Sequence, residues 1–293
     1  GSDWLSVKDF GAKGDGQTDD SDAIQQAIKT ATGSGQTLYF PSGVYCYREV
    51  NVVAGRSTIS LKSGGNVTFF NTSNNGRTET FVLSGERVAK SMMLRENLVK
   101  GTTTLNNPFP NAQVGDLIQL RSNRLLDTDS RGKWVIGQVF RIQLIKDGKL
   151  YFGNSVVEDF SYSAPITITA TSTGTSSVQF SGLDTNDGTY VITGLTGANA
   201  GVSRGIFTWD NSTKTATFDT VWDQVWPKPV AKGDTFEFQR SIEAVHIKPA
   251  KVEVHGPFKF MADLSVNNPE RLNLRTGLHI NYAIDSAVVD IDT

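Results

Sequence analysis

The stretch from Val7 to Ala31, VKDFGAKGDGQTDDSDAIQQAIKTA, limits what this chain can fold into more than any other. Val7–Phe10 reads as a short extended run ending on Gly11. Lys13-Gly14-Asp15-Gly16 then places two glycines where positive φ is easiest, which makes a tight turn. Beyond it, Thr18 or Asp19 is placed to cap a helix whose first turn carries Asp19, Asp20 and Asp22, acidic groups suited to unpaired N–H groups and a positive dipole end. Ala23, Ile24, Ala27, Ile28 and Ala31 share one helical face, and Gly33 to Gly35 ends the helix. So short a helix needs a broad apolar surface to cover. The acidic cluster lacks the spacing and closing Glu of an EF-hand, so no calcium loop is expected there.

The rest of the chain reads as β. Its 28 glycines and many short Thr/Ser/Val runs favour strands and turns. In LYFPSGVY, Pro41 stops one strand and Gly43 turns the chain into the next. Together, DFGAKGDGQTDD with its Ala/Ile stripe and LYFPSGVY resemble the opening of a right-handed parallel β-helix of the pectate-lyase superfamily, in the branch that includes bacteriophage tailspikes. The resemblance implies a mainly β fold in which the helix caps the open N-terminal end of the coils. A stack of parallel strands leaves unpaired backbone and bare core at its first coil, and a lid removes both.

Four segments are expected. Residues 1–100 hold the capping helix and first coils, and 101–164 a small β subdomain. Residues 165–241 form an inserted β-sandwich or barrel-like domain, its strands marked by the strict alternation of Ile166-Thr167-Ile168-Thr169 and Thr215-Ala216-Thr217-Phe218. Lys232–Phe238 repeats the Gly-Asp turn and strand of Val114–Leu120. Residues 242–293 re-enter regular coils at His246–Gly256, with Val254 to Ile280 about one coil long. So few coils are short of the stacking that stabilises solenoids, which points to an N-terminal part of a longer protein.

Composition narrows the chemistry. A net charge of −2 argues against a nucleic-acid partner, no apolar run is long enough to insert into a membrane, and the single Cys46 rules out an internal disulfide framework. No Cys/His spacing suggests zinc, and no metal or other cofactor is expected. For catalysis the best pair is Asp290 and Asp292, which at i and i+2 on a strand share a face about 7 Å apart, within the range for paired carboxyls in glycoside hydrolysis. The plainer alternative is two solvated aspartates. The Asn-Thr-Asp, Gly-His-Gly and Arg-Ile-Lys motifs of polygalacturonases are absent. His255 and His279 fall in or beside coil strands, and Arg271 and Arg275 are either surface charges or groups for acidic sugars. Trp209, Trp222 and Trp226 are candidates for stacking on sugar rings, with core packing the stronger alternative; Trp226, before Pro227-Lys228-Pro229, is expected to be exposed.

The resemblance implies a virion-tail protein, a homotrimer, that recognises and when complete depolymerises a bacterial capsule or O-antigen. The alternatives are a secreted polysaccharide lyase or pectinase, or a glycan-binding module without catalysis.

Overall fold

The structure, a computed structural model, describes residues 3–73, 80–125, 135–160, 164–183, 191–206, 208–220, 224–239, 242–262 and 277–292. The chain is mainly β. Its first strands are β1 (Trp4–Ser6), β2 (Asp15–Asp19), β3 (Thr37–Phe40), β4 (Gly43–Tyr47), β5 (Val50–Val53), β6 (Thr58–Ser63), β7 (Val67–Asn71) and β8 (Phe81–Ser84), with helix α1 (Ser21–Ser34) between β2 and β3. Next come β9 (Glu86–Arg87), β10 (Met92–Leu94), β11 (Thr104–Asn106), β12 (Leu117–Leu125), β13 (Val135–Lys146) and β14 (Lys149–Phe152). The segment 165–241 supplies β15 (Ile166–Ala170), β16 (Ser177–Ser181), β17 (Val191–Gly194), β18 (Ser203–Gly205), β19 (Thr208–Asp210), β20 (Thr215–Thr217) and β21 (Thr235–Gln239). The last are β22 (Ile242–Lys248), β23 (Lys251–Ala262), β24 (Leu278–Asn281) and β25 (Ala287–Asp292).

Contacts divide the chain into Gly1–Ala89 with Ile247–Thr293, and Lys90–His246. The first unit is the beginning of a parallel β-helix. The long β23 pairs through Lys251–His255 with β6 and through Phe258–Ala262 with β7, so it turns a corner and belongs to two flanks. On the first flank lie β1, β3, β6 and the start of β23; on the second lie β2, β4, β7 and its end. A third parallel sheet stacks β5, β8 and β24. One strand from each makes a rung, and β25 pairs with β23 to start the next. Val254 lies beside Val288, whereas Ile280 lies beside Leu83 in the third sheet. Val254 to Ile280 is therefore not one repeat: the two residues occupy different faces.

Period-two alternation decides what goes inside. Leu38, Leu61, Val252 and Val254 point inward from the first flank, and Tyr45, Phe69 and Phe260 from the second. Phe69 is the centre of this core, its ring 5.4 Å from Phe258, 5.2 Å from both Phe40 and Phe260, and 5.0 Å from Phe81.

Helix α1 lies over the N-terminal end of these rungs. It buries Ile24, Ala27, Ile28 and Ala31 in the same core and ends on Gly35, which takes the left-handed conformation at φ 70°. Each buried Ile contributes about 1.5–3 kcal/mol. The start of the helix differs from the sequence expectation. Val7–Phe10 is a 3-10 turn, not an extended run, closed by Gly11 N–H to Lys8 O at 3.1 Å. Asp15–Asp19 is strand, so the residue preceding the helix is Asp20 rather than Thr18 or Asp19. The Asp20 carboxylate, 1% exposed, turns away from the helix and accepts the N–H groups of Lys13 at 2.8 Å and Gly14 at 2.9 Å. Its own N–H donates to Cys46 O at 2.8 Å. Gly14 is required at that point: with φ 60°, a Cβ there would lie 2.9 Å from the Tyr45 ring.

The second unit contains two cores. One underlies the antiparallel order β10-β22-β12-β13-β14-β11 and includes Ile118, Leu120, Phe140, Leu150 and Phe160. The other underlies β18-β17-β21-β15-β16-β20-β19 and includes Phe180, Phe218, Trp226 and Phe236. The repeated Gly-Asp motif makes the same turn in both. Gly115 (φ 95°) donates to Ile142 O while Asp116 Oδ2 accepts Gln113 N–H at 3.0 Å; Gly233 (φ 96°) donates to Ala170 O while Asp234 Oδ2 accepts Ala231 N–H at 2.9 Å. The two differ in one respect. Asp116 is buried and also meets His246 Nε2 at 2.7 Å.

Candidate functional site

Residues that alternate with the core positions of the first unit point outward in register. On the first flank one row runs Ser6, Tyr39, Lys62, His255, Val289, and the next runs Trp4, Thr37 and, through β6 and β23, Ser60, Glu253, Ala287. Strand spacing puts successive members about 4.8 Å apart. Trp4 is 42% exposed, with its ring 5.8 Å from Tyr39 and Lys62 Nζ 4.8 Å from its centroid. Gly64 leaves room for this arrangement, since any Cβ there would collide with the Tyr39 ring and hydroxyl. Thr37 Oγ1 and Ser60 Oγ are hydrogen-bonded at 2.9 Å, and Glu253 accepts Lys251 Nζ at 3.0 Å.

On the second flank the outward row is Asp15, Val44, Thr68, Lys259, Asp292. Asp292 is thus exposed beside Lys259. Asp290 is not simply on the same face. It sits at the corner where the β23–β25 register shifts, with φ 59°, so the alternation behind the shared-face expectation is interrupted between the two aspartates. His255 is outward and exposed on the first flank, and His279 is half-buried on the third sheet beside Val82. Arg271, Arg275 and Trp222 lie outside the described residues.

The remaining tryptophans separate. Trp226 is 1% exposed, packed against Phe218 at 5.4 Å and Phe236 at 5.1 Å, which corrects the expectation of exposure: this insert has few large side chains, and its core takes the indole. Trp209 is half-buried on β19, at one end of its sheet, and its Nε1 donates to Asn211 Oδ1 at 3.3 Å. Next to it, hydrogen bonds from Ser212 and Thr213 hold the Asp210 carboxyl below its ordinary pKa.

A polar groove of about 490 Å³ opens at the start of α1, lined by Asp19, Ser21, Asp22, Gln25, Arg48, Glu49 and Asn51. It is braced by Arg48 N–H to Ser21 Oγ at 2.8 Å and Asn51 N–H to Gln25 Oε1 at 2.9 Å. Among the described residues no group of three or more His, Cys, Asp or Glu is arranged to hold a metal ion, and no helix is long and apolar enough to cross a membrane.

Residues 4–143 match the family described as rhamnogalacturonase A/epimerase, pectate lyase-like. That stretch is similar to a pectate-lyase-like domain. Within the curated relatives, alginate lyase 7 of Azotobacter vinelandii is 66% identical over 41 residues, 14% of this chain and 5% of that protein. Two solved tailspikes align with nearly the whole chain. These are gp61 of Pseudomonas phage phi297 (11% identity, TM-score 0.45, 99% of this chain and 38% of that one) and Gp54 of Acinetobacter baumannii bacteriophage AP22, solved with a capsular saccharide (9%, 0.48, 98% and 34%). The chain spans well under half of each of these proteins.

The outward row of the first flank was not singled out from sequence. The signal was present: Tyr39 alternates with Leu38 and Phe40, Lys62 follows Leu61, and Lys251, Glu253 and His255 alternate with Val252 and Val254. Which of them become neighbours depends on rung register, which no local pattern encodes.

Proposed function

We propose that this chain is part of a phage tailspike or tail-fibre protein that recognises a bacterial surface polysaccharide, capsule or O-antigen, and that the whole protein is a virion-tail homotrimer that depolymerises it. The observation that supports the reading is the lid: the motif that resembles the opening of the tailspike branch seats α1 on the N-terminal end of a parallel stack. Such a stack offers flat outward faces of polar and aromatic side chains, suited to an extended sugar chain. Trp209 and Trp222 of the insert are further places for sugar stacking. Asp290 and Asp292 are the carboxylates proposed for bond cleavage, one at a corner and one on the second flank.

A panel of capsular and O-antigen polysaccharides, assayed for binding and for release of reducing ends, tests this. Binding is expected from this chain, and cleavage from the whole protein; Asp290→Ala or Asp292→Ala is expected to abolish cleavage while leaving binding intact. Binding without release by the whole protein supports the glycan-binding module instead. Binding to no glycan overturns both readings, and light scattering that gives a monomer for the whole protein overturns the tailspike assignment.

A further inference from the structure

The buried pair of Asp116 and His246 is more than its turn requires. Asp234 stands at the same point of the same turn and accepts Ala231 N–H as Asp116 accepts Gln113 N–H, and among the described residues no histidine meets it. Asp116 and His246 are 1% and 2% exposed, with Nε2 2.7 Å from Oδ2 and the Phe109 ring 5.2 Å from the imidazole. Apolar residues of similar volume often replace such a pair at no loss of stability, and its best-attested use is to fix an alignment.

Strand β22 needs fixing. It reads Ile242-Glu243-Ala244-Val245-His246-Ile247-Lys248, and Ile242, Ala244, Val245 and Ile247 are all buried. With apolar side chains on both faces, alternation specifies its register weakly. Ile242 and Ala244 join the core of Ile118 and Phe140, and His246 follows them on the same face. A slip of two residues keeps that face inward and sets Ala244 at the place of His246. Arg240 would then reach the place of Ile242, at the strand's end, where a long side chain can turn to solvent. What the slipped strand cannot do is answer Asp116, whose carboxylate would be left buried against a methyl group. The Arg121–Glu243 contact, 3.7 Å and part-exposed, is too weak to choose between the alignments. The choice is passed on, because the end of β22 pairs with β9 through Ile247 and Lys248 and the chain enters β23 at Lys251. Two residues of slip displace that entry by about 6.8 Å, more than the spacing of adjacent strands.

We propose that the Asp116–His246 pair is a register pin, which admits only the alignment of β22 in which Met92 faces Ala244 and Leu94 faces Ile242. Disulfide trapping reads that alignment directly. Met92→Cys with Ala244→Cys reports the native alignment and Met92→Cys with Ile242→Cys the slipped one, since directly opposed Cα atoms lie within bridging distance and diagonal ones do not. Each pair is made in the chain with His246, with His246→Gln, whose amide can still donate to the carboxylate, and with Asp116→Asn/His246→Leu, in which the Asn keeps the acceptor of the turn. Peptide mass spectrometry maps the bridges, and a thermal melt follows folding. With His246 or His246→Gln the slipped bridge is expected below about one part in a hundred, and Asp116→Asn/His246→Leu is expected to raise it at least about tenfold while remaining folded. A folded Asp116→Asn/His246→Leu chain that forms the native bridge alone overturns the pin. So does a slipped bridge that is equally abundant with His246 or His246→Gln in place. A double variant that does not fold makes the pair a requirement of stability rather than of register, and overturns the pin as well.

Discussion

Replacing Asp20 by alanine should release the lid. The carboxylate is buried and accepts two backbone N–H groups, from Lys13 and Gly14. Hydrogen bonds to a charged group are worth roughly 1.5–3 kcal/mol each, so Asp20→Ala should cost about 3–6 kcal/mol, expressed locally where α1 meets the turn. Asp22 lies in the first turn of the same helix but is exposed, and its contribution is confined to the helix dipole, about 0.3–1 kcal/mol. Hydrogen exchange followed by mass spectrometry on a peptide covering Ile24–Ala31 separates the two. Asp20→Ala should speed exchange by roughly a hundredfold or more, and Asp22→Ala by less than about fivefold. If the two variants accelerate exchange alike, Asp20 is an ordinary helix-end acid, and the coupling between turn, lid and first rung is wrong.

Two other outcomes follow from the first unit. Phe69→Ala removes the ring at the centre of the stack and should cost about 3–5 kcal/mol in urea unfolding, whereas Phe70→Ala, on the outward row beside Cys46 and Met261, should cost less than about 1.5 kcal/mol; similar losses would refute the inward–outward assignment. Hydrogen bonds from Thr18 and Gln17 lower the Asp15 pKa from 3.8 to about 2. Because the folded value is depressed, the stabilisation of that turn is complete above about pH 4 and is lost as pH falls towards 2. An Asp15 carboxyl titration by NMR should centre near 2, and the turn amides of Asp15→Asn should not respond in that window.

The lid was legible because its signal is local. Glycines at positive φ, a five-residue apolar stripe and a terminating Gly35 are all set within some thirty residues, and each has one physical reading. The role of Asp20 was not legible among Asp19, Asp20 and Asp22, because its partners lie six and seven residues back and become neighbours only once the turn closes. Val7–Phe10 was misread for a related reason. Val7 is buried as a strand residue would be, but Gly11 closes the backbone into a 3-10 turn. Trp226 was misplaced because Pro227 and Pro229 mark a loop without saying which way the preceding side chain points. Along the first flank, each outward residue could be read from alternation within its own strand. That Lys62 meets His255 could not, since β6 and β23 are separated in sequence by the whole second unit.

That separation has a consequence for how the molecule is made. Met92 pairs with Ala244, so the second unit's entrance and exit strands are adjacent when it is folded. Joining β23 to β6 across so long a disordered loop would cost roughly 4–5 kcal/mol in closure entropy, which a folded second unit has already met. During synthesis the two N-terminal rungs emerge first, the second unit closes next, and only then is the third strand layer delivered to its template. A destabilising change in the described strands of Lys90–His246 is therefore expected to register as a stalled β-helix, although among the described residues none of that unit belongs to the parallel stack.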